Sequence, residues 1–188
     1  PDLGFVMPDV EIRRWDQLAS DLEHDRLISE LDRVFFSSSA RQSFSSAAER
    51  AAFRERWLGR YLHHFPHYAL VALDSERRVV GYLVGSVDDP ARDPLFADLT
   101  FFTHFRALTA RYPAQLHVNL DADWRGHGIG APLLEAFSDM ARTHGAPGGH
   151  GVTARGMRNV GFYLANGFVE RGALSSDGVE LLFLGRDL

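Results

Sequence analysis

An alternating strand that runs directly into a glycine-rich loop and an amphipathic helix constrains the fold more than any other feature of this chain. Three apolar residues alternate with three polar ones over residues 115–120, which predicts a half-buried strand. The loop over residues 121–130 contains three glycines, and the next segment carries apolar residues at helical spacing until Gly145, a common type of helix stop. The chain is therefore expected to mix strands and helices.

Other segments support the same class of fold. Strands are predicted over residues 10–15, 68–74, 78–88, 150–154, 168–174 and 179–184. Helices are predicted over residues 16–36 with Asp16 as the cap, and over 47–64, 95–111 and 159–166, while the serine-rich residues 37–46 read as a loop. Strands and helices do not alternate strictly, which favours a mixed sheet with helices on both faces.

Composition excludes several classes of protein. A chain of 188 residues with 45% apolar and 24% charged residues predicts a single folded domain over residues 1–188. No apolar run approaches the length of a membrane span and no signal peptide is visible, so a soluble, cytoplasmic protein is expected. There is no cysteine and no lysine, which rules out thiolate chemistry, a Schiff-base lysine and the lysine of a phosphate-binding P-loop. The net charge of −5 argues against a nucleic-acid partner.

The glycine loop has the chemistry of an anion site. Glycines let successive backbone N–H groups approach a ligand, and the helix that follows adds unpaired N–H groups and the positive end of its dipole. A tight turn that merely needs glycine is the simpler alternative. Gly126, Gly128 and Ala131 also match a dinucleotide fingerprint, but no acidic residue lies between Asp139 and Glu170 to bind the ribose.

Two segments resemble the motifs of the GNAT acetyltransferase superfamily. Residues 116–130 read Leu-x-Val-x-Leu-x-x-x-Trp-Arg-Gly-His-Gly-Ile-Gly, similar to that family's acyl-CoA-binding strand and loop. Residues 158–168 read Arg-Asn-Val-Gly-Phe-Tyr-Leu-Ala-Asn-Gly-Phe, similar to its Asn-x-x-x-Phe-Tyr-x-x-x-Gly-Phe signature. Residues 112–117 further resemble the branch that includes the acetyltransferase-like domain of O-GlcNAcases.

The resemblance implies an α/β fold with a mixed, mostly antiparallel sheet of about six to seven strands, in which two central parallel strands splay apart to form the acyl-CoA cleft. The acyl-CoA-binding core would cover residues 114–168, and the acceptor site would be built from residues 16–64 and 88–112. Acetyl-CoA is the implied co-substrate, and no metal is expected. The residues implied to bind it are Val118, Leu120, Arg125, Gly126, His127, Gly128, Ile129, Gly130, Asn159 and Tyr163. His127 stands where the family more often has a lysine or an arginine.

The implied reaction is the direct attack of an amine on the thioester. Tyr163 matches the family's tyrosine acid, which protonates the leaving thiolate. The base is left open: His117 and His150 are candidates, Asp88 and Asp89 are others, and each histidine has a structural role as its alternative. The acceptor is expected to be a small-molecule or peptide amine, without a nucleic-acid or membrane partner, and a homodimer is a further expectation. The rival functions are a catalytically inactive GNAT-like module that binds CoA or serves interaction, and an NADP-dependent reductase.

Overall fold

The computed structural model describes residues 6–7, 9–18 and 21–188 and contains eight strands among them. The strands are β1 (Val6–Met7), β2 (Val10–Arg14), β3 (Leu70–Asp74), β4 (Val79–Ser86), β5 (Ala114–Leu120), β6 (Gly148–Ala154), β7 (Val169–Ser176) and β8 (Val179–Asp187). The α-helices are α1 (Asp21–Ser38), α2 (Ala47–Arg54), α3 (Arg60–His64), α4 (Phe101–His104), α5 (Arg106–Arg111), α6 (Gly130–His144) and α7 (Arg158–Ala165).

The chain divides into two compact units. The first comprises Pro1–Gly85 and His117–Phe137, and the second comprises Ser86–Leu116 and Ser138–Leu188. The division therefore falls within β4, β5 and α6.

The first unit contains an antiparallel meander of β1, β2, β3 and β4. The register of β2 and β3 runs from Val10 opposite Asp74 to Arg14 opposite Leu70. Strand β3 is almost wholly apolar because both of its faces are buried, as the burial of Leu70 to Leu73 shows. Helix α1 adds a fully buried stripe at helical spacing, Leu27, Leu31 and Val34.

The predicted helix over residues 47–64 is a continuous helical run with a wide turn inside it. Ser46 caps α2 by accepting a hydrogen bond from the Glu49 N–H at 3.1 Å, and Glu49 Oε2 accepts in return from Ser45 N–H at 2.6 Å. Between α2 and α3 lies a π-helical turn, Glu55–Gly59. Such turns have no strong compositional signal, and the apolar spacing predicts an unbroken α-helix instead.

The second unit contains a parallel strand pair and an antiparallel extension. Strands β5 and β6 pair in parallel through Ala114 opposite Gly149 and Gln115 opposite His150, and the pairing ends after these two positions. Strand β6 then pairs antiparallel with β8 over its whole length, and β8 pairs antiparallel with β7. The mixed, mostly antiparallel sheet with one parallel pair confirms the predicted fold class.

Two local predictions are wrong. Asp16 lies in a short 3-10 turn, Trp15–Gln17, and bonds to Arg14, whereas α1 is described from Asp21. The predicted helix over residues 95–111 is broken into the 3-10 turn Pro94–Phe96 and the short helices α4 and α5. The break follows from tertiary packing, because the side chains of Phe96, Phe102 and Phe105 are all buried.

Candidate functional site

The glycine loop joins β5 to α6 and presents its backbone to solvent. Gly126 and Gly128 both have φ of 78°, a conformation that side chains other than glycine's rarely adopt. A Cβ built on Gly126 meets no atom within 4 Å, so the loop leaves open space beside its backbone. Helix α6 begins at Gly130 and has no acidic residue in its first turn, so nothing there opposes the binding of an anion. These features fit a pyrophosphate group.

Arg125 and His127 are the basic side chains of the loop, which also carries Asp121 and Asp123. Arg125 is partly buried, while His127 is exposed and hydrogen-bonded through Nδ1 to the carbonyl oxygen of Arg125 at 3.1 Å. The Trp124 ring lies 6.1 Å from the His127 ring. His127 is thus exposed on the loop, and its role in donor binding stays a prediction.

Helix α1 contacts the entry to this loop at two places. Ser38 Oγ donates to the carbonyl oxygen of Leu120 at 3.1 Å, and Arg125 Nη2 donates to Ser38 Oγ at 3.4 Å. One turn and a half earlier, Arg33 forms an ion pair with Asp121, whose Oδ1 accepts from the Asp123 N–H at 3.1 Å. Sequence spacing does not predict the contacts of Ser38 and Arg33 with the loop, because each joins residues more than 80 positions apart. The contact between Asp121 and Asp123 is local.

His117 lies against two aromatic side chains that the sequence does not identify. Its Nε2 is 3.1 Å from the hydroxyl oxygen of Tyr61, and its ring makes edge contacts with Tyr61 at 5.4 Å and Trp57 at 5.6 Å between centroids. Burial lowers the pKa of His117 to about 4, and the charge of Arg60 acts in the same direction. His117 is therefore neutral at pH 7, and one of its two nitrogens is already engaged.

Asn119 of β5 has a fixed partner on β4. Its Nδ2 donates to the hydroxyl oxygen of Tyr82 at 2.8 Å. Burial raises the pKa of Tyr82 above its usual value, so that hydroxyl keeps its proton. Asn119 thus has a structural role in orienting Tyr82.

Tyr163 lies where the parallel pairing of β5 and β6 stops. Its hydroxyl donates to the carbonyl oxygen of Leu116 at 3.3 Å, and Leu116 directly follows the last paired residue of β5. Its ring lies against Gly151, the residue after the last paired position of β6, so closely that a Cβ at Gly151 would be 2.7 Å from Tyr163 Cζ. The ring packs on β6 at Gly151, and its hydroxyl reaches the Leu116 carbonyl oxygen of β5.

The Tyr163 hydroxyl is protonated throughout the physiological range. Tyr163 is 3% exposed, and its burial raises the pKa of the hydroxyl above the ordinary value. Its hydrogen bond to the Leu116 carbonyl oxygen is long, at 3.3 Å, so the backbone holds the proton weakly and a better acceptor can receive it.

His150, the second candidate base, is built into the core of the second unit. It is 1% exposed, its ring stacks on Phe183 at 4.5 Å, and its Nδ1 bonds to the carbonyl oxygen of Tyr112. Phe102 meets the same ring edge-on at 5.8 Å. This environment favours the structural alternative for His150.

The remaining candidates have local partners. Asn159 Oδ1 accepts from the Thr153 hydroxyl at 2.8 Å, which ties the start of α7 to β6. Asp89 caps the turn that follows β4 by accepting from the Ala91 N–H at 3.0 Å, and Asp88 bonds to His144 Nε2 at 3.1 Å. Val118 and Leu120 are partly buried, and the pairing of their backbone with a ligand stays a prediction.

Across residues 6–7, 9–18 and 21–188, no group of three or more His, Asp or Glu side chains is arranged to hold a metal ion. Within that same part of the chain, every helix is too short or too polar to cross a bilayer.

Comparison with known proteins agrees with this geometry. Residues 27–168 match the model of the Acetyltransferase (GNAT) family. The solved structure of SsHAT is 22% identical with a TM-score of 0.68, and the alignment covers 96% of this chain and 98% of that one. A GCN5-related N-acetyltransferase from Kribbella flavida is 16% identical with a TM-score of 0.61, over 95% of this chain and 98% of that one.

A third solved structure is of a complex that contains CoA. The NatC complex bound to Gag peptide and CoA contains a chain that is 14% identical with a TM-score of 0.64, over 96% of this chain and 99% of that one. At such identities the three structures show a shared fold only. No curated protein matches the chain. The family match spans the predicted acyl-CoA core and more than half of the sequence, and the chain therefore belongs to the GNAT acetyltransferase family.

Proposed function

We propose that this protein is an N-acetyltransferase that moves an acetyl group from acetyl-CoA to a primary amine. The observation that carries the proposal is the loop of Gly126 and Gly128, whose open backbone and following helix fit the pyrophosphate of the donor. Membership of the GNAT family supports the transfer of an acyl group. The acceptor is a small-molecule or peptide amine.

Different residues of the site serve donor binding and group transfer. The backbone N–H groups of the loop bind the pyrophosphate, with added charge from Arg125 and, when protonated, His127. The backbone of Val118 and Leu120 pairs with the pantetheine arm, and Asn159 holds the start of α7. The neutral amine nitrogen attacks the thioester carbon, the C–S bond breaks, and the Tyr163 hydroxyl donates its proton to the departing sulfur. The proton that the nitrogen loses as the amide forms restores the tyrosine hydroxyl.

Proton energetics argue against His117 as the base. A primary alkyl ammonium has a pKa near that of lysine, about 10.4. The pKa of His117 is about 4, so moving the proton to this imidazole would cost on the order of 9 kcal/mol. His150 is enclosed by aromatic rings. We propose that the amine reacts in its neutral form after losing its proton to water, and that both histidines are structural.

Loss of the amine proton to water predicts a characteristic dependence of kcat/KM on pH. If the neutral amine is the reactive species, kcat/KM rises with pH until the pKa of the acceptor itself and shifts when the acceptor is changed. If a histidine is the base, the profile keeps one fixed inflection for all acceptors. Measuring kcat/KM for two amines of different pKa separates the two mechanisms.

The experiment that tests the function combines binding and turnover. Thermal unfolding is measured with CoA, acetyl-CoA and NADPH, because a ligand that binds only the folded state raises the melting temperature. Acetyl-CoA and CoA are expected to raise it and NADPH is not. Release of free thiol is then followed with a panel of amines, aminoglycosides and amino-acid derivatives.

The outcomes separate the rival functions. A shift with CoA followed by thiol release on addition of an amine supports the transferase. A shift with CoA but no turnover with any amine supports the inactive CoA-binding module. The absence of a shift with either CoA species would overturn the proposal.

A further inference from the structure

The hydroxyl group of Ser38 makes two hydrogen bonds that connect helix α1 to the glycine loop. Ser38 Oγ donates to the carbonyl oxygen of Leu120 at 3.1 Å and accepts from Arg125 Nη2 at 3.4 Å. Leu120 is the last residue of β5, and Arg125 begins the glycine-rich part of the loop. A single oxygen atom at the end of α1 therefore contacts both the entry of the loop and its arginine.

A second contact from the same helix affects the charge of the loop. Asp121 is the first residue after β5, and its carboxylate is mostly buried, with 15% of the side chain exposed. Arg33 forms an ion pair with it and also donates from Nη2 to the carbonyl oxygen of Val79 at 2.9 Å. Although burial alone would raise the pKa of Asp121, Arg33 and the Asp123 N–H lower it, so the carboxylate is ionised.

An ionised carboxylate at the entry of an anion-binding loop is unfavourable unless its charge is neutralised. Without Arg33, Asp121 would repel a pyrophosphate that approaches the loop. With Arg33 in place, the pair is neutral, and Asp121 is left to cap the turn through the Asp123 N–H. Arg33 thus allows Asp121 to cap the turn without repelling an anionic ligand from the loop.

We propose that Ser38 and Arg33 of α1 are positioning residues for the donor-phosphate loop, Ser38 by orienting Arg125 and Arg33 by neutralising Asp121. The inference rests on the proposed function, because it requires that the donor carries a pyrophosphate. Neither residue touches the reacting atoms, and both act through the loop.

The first test compares two donors that share the thioester and differ in the pyrophosphate. Acetyl-CoA carries the pyrophosphate, whereas S-acetyl-N-acetylcysteamine has only the thioester end. In the Ser38→Ala variant, KM for acetyl-CoA is expected to rise about fivefold to tenfold while kcat stays within twofold. The kcat/KM for S-acetyl-N-acetylcysteamine is expected to remain unchanged, because that donor does not reach the loop.

A neighbouring serine provides the matched control. Ser37 lies in the same last turn of α1, but its hydroxyl donates to the carbonyl oxygen of Val34 within the helix at 3.1 Å. Ser37→Ala removes the same group from the same helix without touching the loop, so both donors are expected to react as with the unaltered chain. Losses of equal size with both donors, or no loss with either, in Ser38→Ala would overturn the role of Ser38.

The second test uses charge rescue. Arg33→Gln removes the ion-pair partner of Asp121 and leaves Arg125 as the other positive charge that acts on it, and the dissociation constant for CoA is expected to rise more than tenfold at low ionic strength and less at high salt. Adding Asp121→Asn to the same chain removes the stranded charge, keeps an oxygen for the Asp123 N–H, and is expected to bring the constant back to within about threefold.

The outcomes also separate this inference from the proposed function. If the unaltered chain neither binds CoA nor releases thiol from acetyl-CoA, the proposed function fails. If it does both, but Asp121→Asn gives no rescue in the Arg33→Gln background, the role of Arg33 is refuted while the function stands. Should Arg33→Gln fail to fold, the comparison of Ser38→Ala with Ser37→Ala decides the proposal alone.

Discussion

Replacing Gly151 with alanine tests the position of Tyr163 directly. The new Cβ would be 2.7 Å from Tyr163 Cζ, 2.9 Å from its hydroxyl oxygen and 3.0 Å from Cε1. Carbon atoms in contact are normally about 3.5 Å or more apart, so the ring or the strand must shift by several tenths of an ångström. Because Tyr163 is 3% exposed and also meets Phe168 at 5.2 Å between centroids, the ring cannot move away freely.

The expected cost is that of overpacking a core, about 1–3 kcal/mol. For a chain of this size, that corresponds to a fall in Tm of about 2–4 °C for each kcal/mol. The assay is urea unfolding followed by tryptophan fluorescence, in which the midpoint falls and the slope m is unchanged. The shift of the Tyr163 hydroxyl is also expected to reduce turnover.

Gly161 is the matched control for this substitution. It lies on α7 two residues before Tyr163, and a Cβ built on it meets no atom within 4 Å. Gly161→Ala should therefore stabilise the helix by roughly 0.5–1 kcal/mol, the opposite sign. If Gly151→Ala is as stable as the unaltered chain, Tyr163 does not pack on β6, and the reasoning that places its hydroxyl at the end of the strand pairing is wrong.

Three further predictions concern single groups. Tyr163→Phe keeps the ring and removes the proton donor, so donor binding should survive while turnover falls about 10²- to 10⁴-fold in pre-steady-state measurements, and a near-normal rate would remove Tyr163 from the mechanism. Gly128→Val demands φ of 78° from a β-branched residue, so the affinity for acetyl-CoA measured by calorimetry should fall tenfold or more; unchanged affinity in a folded variant would place the phosphate site elsewhere. His117 has its pKa lowered to about 4 in the folded chain, so the unfolded chain binds the proton first, and stability is lost as pH falls from about 6.5 towards 4. Denaturation of the unaltered chain and of His117→Gln across that range should differ by up to about 3 kcal/mol at the acid end, and parallel curves would show that His117 titrates normally.

The parts of the fold that local chemistry dictates were predictable from the sequence. The strand over residues 115–120, the glycine loop and α6 follow from alternation, from the need for positive φ at Gly126 and Gly128, and from the apolar stripe of the helix. Gly145 ends α6 with φ of 91°, as predicted for a glycine helix stop.

The environment of each candidate site residue was not predictable, because it depends on long-range contacts. Tyr61 is 56 positions from His117, and Ser38 is 82 positions from Leu120, so no spacing rule connects them. The sequence offers both histidines as candidates for the base without choosing between that role and a structural one, and burial and aromatic neighbours decide their chemistry. The branch resembling the O-GlcNAcase domain stays a prediction, as does the single domain over residues 1–188.

The π-helical turn Glu55–Gly59 has a consequence for how this chain tolerates insertions and deletions. A π turn holds one residue more than the α-helix that it interrupts, and each helical residue turns the chain by about 100°. Deleting one residue within the turn would restore a regular α-helix. It would also rotate α2, which precedes the turn, by about 100° about the helix axis relative to α3. The turn includes Trp57, whose ring contacts His117 on β5. The deletion would therefore place a different side chain beside His117, while the sequences before and after the turn stay the same. A change in length by one residue is thus a route to a different surface next to His117, which point substitutions alone do not offer.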